Sequence, residues 1–258
     1  MTRLSVRVGL LGCGVFAIVA VYACTSVTDS STAVLSLEFD SLPAPAVVIG
    51  DSLRDSTGAV ALPVVRAFNF KGDEIPQPPV WFQSADSGVT VDSASGVIFG
   101  DSLIGNSARI VATVGQLQAV QRVDVTLRPD LIAAVTGEDS LKYSLADTTK
   151  DISPELQVKL THGVAPNDSV VKSWIVSFII VYAPDPQLGE LVNDGSKPST
   201  LDTTNTSGIA GRKIRLHPKF LSSATTVDSI VVNATAKYHG APVNGSPVRL
   251  VLRLTPLS

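Results

Sequence analysis

The chain has 258 residues with 20 basic and 23 acidic side chains, a formal net charge of −3. A mildly acidic chain argues against a nucleic-acid partner, which calls for a basic domain. With only two cysteines it has no disulfide framework to lean on, so apolar burial and sheet hydrogen bonds must hold it together.

The first element is an export signal. Arg3 and Arg7 form a positive start, an apolar run follows from Val8 to Ala23, and a Thr/Ser/Asp stretch comes after Cys24. The run falls short of the about 20 residues that a spanning helix needs. The segment Val21-Tyr22-Ala23-Cys24 resembles the lipobox of bacterial lipoproteins, with Tyr22 standing where that family usually has a small residue. The resemblance implies cleavage before Cys24 and acylation of its new N-terminus. Val21 and Ala23 equally suit ordinary signal peptidase at the same bond. Cleavage removes Cys13, and Cys24 is then the one cysteine left. Loss of Arg3 and Arg7 leaves 18 basic against 23 acidic residues, a net of −5. Acyl chains would anchor the protein, since each buried methylene contributes about 0.8 kcal/mol. Thr25 stands where inner-membrane retention in the lipoprotein family needs Asp, which points to the outer membrane or cell surface.

Residues 24–32 read as a lipidated tether, and the rest divides at Arg128-Pro129-Asp130 into residues 33–128 and 129–258. Both parts alternate with period two. Leu35, Leu37 and Phe39 lie between polar neighbours, as do Val123, Val125 and Leu127, then Leu156, Val158 and Leu160, then Leu250, Leu252 and Leu254. Such alternation with β-branched enrichment predicts half-buried antiparallel strands. Turn signals at Ser56-Thr57-Gly58, Lys71-Gly72-Asp73, Ala94-Ser95-Gly96 and Asn244-Gly245 separate them. The apolar run Trp174 to Tyr182 predicts a central strand buried on both faces. The fold class is therefore all-β: two antiparallel Ig-like β-sandwich domains after an N-terminal signal helix.

In the first domain, Val80-Trp81-Phe82-Gln83-Ser84-Ala85-Asp86 is followed by Val89-Thr90-Val91-Asp92, by Ser95-Gly96-Val97-Ile98-Phe99-Gly100, and by two closing strands. This ordered series resembles the group 2 bacterial immunoglobulin-like domain. Trp81 is assigned to the core between the sheets. In the second domain, Thr200-Leu201-Asp202-Thr203, Ser207-Gly208-Ile209-Ala210-Gly211 and the strand from Arg212 to His217 are similar to invasin-type group 1 bacterial Ig domains. There the segment joins two strands of the sandwich. Those families imply adhesion and stalk roles and supply no catalytic residues.

Chemistry-bearing patterns are sparse. His162, His217 and His239 fall in no metal-binding spacing, and no Gly-x-Ser-x-Gly elbow occurs. No catalytic residue, metal or cofactor is expected. The recurrent Asp-Ser pairs at Asp40, Asp51, Asp101 and Asp139 read as turn formers rather than calcium ligands. Lys213, Arg215 and His217 share one strand face opposite Ile214 and Leu216, a basic stripe that is a candidate contact for an anionic glycan or protein. The sequence thus predicts a lipid-anchored envelope protein with a structural, adhesion or interaction role. Its partners are the membrane, through the acyl chains, and an envelope glycan or protein. The alternative is a carbohydrate-binding sandwich, which would show an exposed aromatic platform.

Overall fold

The computed structural model describes residues 33–144, 151–221 and 227–257. The first part of the chain forms β1 (Ser36–Phe39), β2 (Ala46–Val48), β3 (Val65–Phe68), β4 (Glu74–Ile75), β5 (Trp81–Ser84), β6 (Val89–Val91), β7 (Ile98–Gly100), β8 (Ala108–Val114) and β9 (Leu117–Thr126). The second part forms β10 (Leu131–Ala134), β11 (Glu138–Tyr143), β12 (Leu156–His162), β13 (Ser169–Val170), β14 (Ile175–Tyr182), β15 (Gly189–Val192), β16 (Leu201–Thr203), β17 (Ile209–Leu216), β18 (Asp228–Tyr238), β19 (Ala241–Pro242) and β20 (Val248–Pro256).

Each part builds its own core. In the first, the sheet β2-β9-β8-β5 turns Val47, Ala108, Ile110, Val123 and Val125 inward, toward β1 and the β6-β7 hairpin. In the second, the sheet β10-β12-β17-β15 faces the sheet β11-β20-β18-β14-β16. Val158, Leu160, Ile214 and Leu216 from one sheet meet Val176, Phe178, Ile230, Val232, Leu250 and Leu252 from the other. The alternation explains this placement, because a period-two apolar pattern presents one face of each strand to the core. Two parallel pairings interrupt the antiparallel rule: β2 lies beside β9, and β11 beside β20. β16 sits in one sheet of the second sandwich and β17 in the other, so the Thr200–Leu216 segment crosses between sheets.

Three expectations are corrected. The fold class carries a signal helix ahead of the sandwiches. Among the described residues there is no α-helix, only a 3-10 turn at Pro218–Phe220, because no described segment holds a 3.6-residue apolar period. Residues 1–23, with Val21, Tyr22 and Ala23, and Cys24 after them, lie outside the described residues. No described helix is long and apolar enough to cross a membrane. The second correction concerns Trp81, which is 59% exposed rather than buried. Its neighbour Phe82 points inward instead and meets Phe39 edge-on at 6.3 Å. The third concerns the run from Trp174 to Tyr182. Only Val176 and Phe178 are fully buried there, while Ile179, Val181 and Tyr182 stand exposed on the outer half of β14.

Candidate binding surfaces

The two cores meet through two hairpin tips. One is the turn Asp55-Ser56-Thr57-Gly58, closed by the Gly58 N–H on the Asp55 carbonyl at 3.1 Å and by the Asp55 carboxylate on the Thr57 N–H at 2.8 Å. The other is the two-residue loop His239-Gly240 between β18 and β19, with φ of +51° and +77°. Positive φ at both loop positions is the requirement of a type I′ hairpin. The tips touch backbone to backbone. An added Cβ at Gly58 would lie 2.3 Å from the His239 carbonyl carbon, and one at Gly240 would lie 2.3 Å from the Thr57 oxygen.

Asp51 is the polar centre of this seam. Its carboxylate accepts from Arg54 at 2.9 and 3.1 Å, from the Tyr238 hydroxyl at 2.9 Å and from the Ser52 N–H at 2.8 Å, and it lies 2.5 Å from His239 Nε2. Burial works against its charge. The hydrogen bonds from Arg54, His239, Tyr238 and Ser52 outweigh that cost and hold the carboxyl well below the usual carboxylate range. Tyr238 responds in the opposite sense. Burial, then its hydrogen bond to Asp51, pushes its hydroxyl up to about 12. The Tyr238 ring stacks on His239 at 4.0 Å and leans on Trp174 at 6.1 Å. Ser173 adds a second cross-seam contact by donating to the Asp124 carboxylate. Beside these groups lies a cavity of about 560 Å³, walled by Trp174, Tyr238, Arg54 and Lys237.

A second surface lies on the outer face of the β2-β9-β8-β5 sheet. Residues directly opposite each other in a ladder share a face. One row there is Trp81, Thr113 and Gln118, the next is Gln83, Val111 and Val120, and a third pairs Arg109 with Arg122. β5 is the last strand of the sheet, and on its outer side the Phe82 N–H donates to the Ser93 carbonyl at 3.0 Å. At the opposite edge Ala46 and Val48 occupy the same face but are buried, because the second core abuts them. Arg109 is held by Asp86, whose carboxylate takes its Nε at 2.9 Å, its Nη2 at 2.8 Å and its backbone N–H at 2.9 Å. These bonds from the Arg109 side chain and backbone lower Asp86 to about 2. Arg122 is exposed and forms no ion pair among the described residues. A polar groove of about 900 Å³ runs from Arg109 and Arg122 to Lys172 and Asn205 of the second part.

The predicted basic stripe sits on β17 as expected in alternation. Lys213 and Arg215 are half-exposed between buried Ile214 and Leu216, and His217 follows the strand end. Their charges are matched by acids, however. Lys213 meets Asp194 at 2.9 Å, and Arg215 meets Glu190 at 3.7 Å while donating to the Ser196 carbonyl at 2.7 Å. The stripe therefore presents less free positive charge than its sequence suggests. The structure does not bring the three histidines together: His162 pairs with Asp130, and His239 with Asp51. Among the described residues no group of three or more His, Cys, Asp or Glu side chains is placed to hold a metal ion.

No protein family and no curated protein matches the sequence. Among solved structures the chain is similar to the surface layer protein SbsC, domains 1–6, at 10% identity and a TM-score of 0.32, over 88% of this chain and 29% of that one. It thus spans less than a third of that protein's length. It is similar to human protocadherin-24 EC1-2 at 10% identity and a TM-score of 0.28, over 88% and 99% of the two chains. It is also similar to the titin domains z1z2 in complex with telethonin, at 14% identity and a TM-score of 0.25, over 88% and 100%. Likenesses at this identity and TM-score single out neither the group 2 domain nor a lipoprotein. Scores this low carry no function across.

Proposed function

We propose that this chain is a non-catalytic interaction protein of the cell envelope, with residues 33–128 and 129–258 as two Ig-like modules set as one stiff unit on a lipid tether. The observation that carries the reading is the seam. Two hairpin tips in backbone contact, braced by Asp51, resist the swivelling that is the default between modules. A stiff unit suits a protein that must present a surface at a fixed distance from its anchor. In this reading residues 1–23 are removed as an export signal and Cys24 carries the acyl chains.

Two measurements test the placement. Cys24→Ala is expected to abolish incorporation of labelled palmitate and to release the protein from the membrane fraction. Retained label overturns the lipid anchor. Protease added to intact cells is expected to cut within 185–202, a stretch where Asp194, Gly195 and Thr200 are exposed. Protection until lysis places the modules in the periplasm instead.

The exposure of Trp81 favours a second reading, a carbohydrate-binding sandwich. An exposed indole on a sheet face can stack on a sugar ring, which a buried core tryptophan cannot do.

A further inference from the structure

We infer that the open outer face of β5, β8 and β9, together with the groove beside it, binds an acidic polysaccharide: Trp81 takes a sugar ring by stacking, and Arg122 with Lys172 pairs with carboxylates further along the same glycan. This rests on the carbohydrate-binding reading and names its site and ligand class.

Four observations converge. Trp81 is 59% exposed on the outer face of the last strand of the sheet, so a sugar can reach its indole. That face is electron-rich and attracts the C–H bonds of a pyranose ring. Gln83 follows on the same face of β5, and Gln118 closes the Trp81–Thr113 row. Each amide offers donors and an acceptor, the pairing that vicinal hydroxyls require. Arg109 and Arg122 stand directly opposite each other, an arrangement that like charges disfavour. Asp86 makes its ion pair with Arg109, and the Arg122 charge also acts on it. Arg122 makes no ion pair of its own among the described residues, and the Lys172 ammonium nearby makes a 3.4 Å contact with the Ile104 carbonyl. On a chain of net −3, this groove sets Arg109, Arg122 and Lys172 against Asp86 and Asp124, an excess of one positive charge. Finally, Arg109 and Thr113 are four residues apart on β8, so the arginine row and the indole are separated by roughly 13 Å at about 3.3 Å per residue. A monosaccharide cannot bridge that distance, whereas an oligosaccharide laid along the strand can.

The test uses the full chain in detergent and titrates two probes by calorimetry. One is a polyuronate hexasaccharide, and the other is the same hexasaccharide with its carboxyls reduced to alcohols. The polyuronate is expected to bind more tightly, with an affinity that falls as salt rises. Trp81→Ala is expected to weaken both probes about tenfold, and Trp81→Phe to recover part of that loss. Arg122→Gln is expected to weaken only the polyuronate, by about fivefold, and to flatten its salt dependence. Both side chains are exposed, so unchanged melting of each variant confirms an intact fold. The pair Lys213→Gln with Arg215→Gln is expected to change nothing. Equal affinity for the two probes overturns the acidic-ligand inference and leaves the carbohydrate reading standing. No binding of either probe by the folded protein removes both. Loss at Lys213 and Arg215 instead of Trp81 and Arg122 moves the site to the second module and overturns the inference.

Discussion

Replacing Asp51 with alanine is expected to lower stability by about 2–3 kcal/mol, because several hydrogen bonds to one charged, largely buried acceptor are lost together. In a chain of this size that corresponds to a fall of about 5–10 °C in the melting midpoint. Calorimetry should also show one transition splitting toward two, since the lost bonds with Tyr238 and His239 join the two cores. A single unsplit transition at the wild-type temperature would rule out a structural part for Asp51. The pH dependence has two arms. A carboxyl held below its ordinary value of about 3.9 contributes stability that is present above that value and is lost as pH falls through the lower, folded one. The hydroxyl of Tyr238, raised to about 12, contributes stability that is present below about 10 and is lost as pH rises from there through 12. Asp51→Asn removes the acid arm. It should also let Tyr238 ionise earlier in an alkaline titration followed by tyrosinate absorbance.

Gly58→Val is expected to cost more, about 3–5 kcal/mol, and to part the hairpin tips. The new Cβ would collide with the His239 backbone at 2.3 Å, and no rotamer relieves a clash made by the Cβ itself. The position also has a φ of +91°, which a β-branched residue rarely tolerates. Gly240→Ala should act the same way through the Thr57 oxygen. Gly72 supplies the control. Its φ is +82°, but nothing lies within 4 Å of its added Cβ, so Gly72→Ala should cost only the backbone strain of about 1–2 kcal/mol. Amide exchange distinguishes seam opening from global unfolding. In the Gly58 and Gly240 variants, protection should fall first around Thr57 and His239 while β12 and β14 keep theirs. Equal costs at Gly58 and Gly72 would mean that the tips are not in tight contact.

Strand positions were legible in the sequence, because alternation is a local pattern, whereas the parallel pairings of β2 with β9 and β11 with β20 depend on distant partners. The expected division at Arg128-Pro129-Asp130 falls between two strands, β9 ending at Thr126 and β10 beginning at Leu131. The facing of Trp81 was not legible. Trp81 and Phe82 are adjacent in a strand, so only one can point inward, and a one-residue choice of face reverses both. The larger apolar ring looked like the core residue. The polar Gln83 on the Trp81 face was the available signal that Phe82 is the inward one. In β14 the apolar run was real, but hydropathy alone does not distinguish a doubly buried strand from one whose outer half is open. Asp51 shows the other limit. The carboxylates of Asp51, Asp139 and Asp228 each accept from the following serine N–H, although Asp139 and Asp228 stand within β11 and β18 rather than in turns. Nothing local separates Asp51 from its siblings. Its distinguishing partners, Tyr238 and His239, lie 187 and 188 residues away. The pairing of Lys213 with Asp194 likewise depends on how β15 and its following turn lie beside β17.

The parallel pairing of β11 with β20 bears on how the second sandwich carries load. The two strands run the same way through six register positions, Glu138 beside Val251 to Tyr143 beside Pro256. Tension applied from the β10 side against the end of β20 pulls them along their length in opposite directions. All the ladder bonds then strain at once, as a lap joint does under shear, instead of parting one after another like a zip. A module closed in this way resists stretching most strongly along the line that joins the start of β11 to the end of β20.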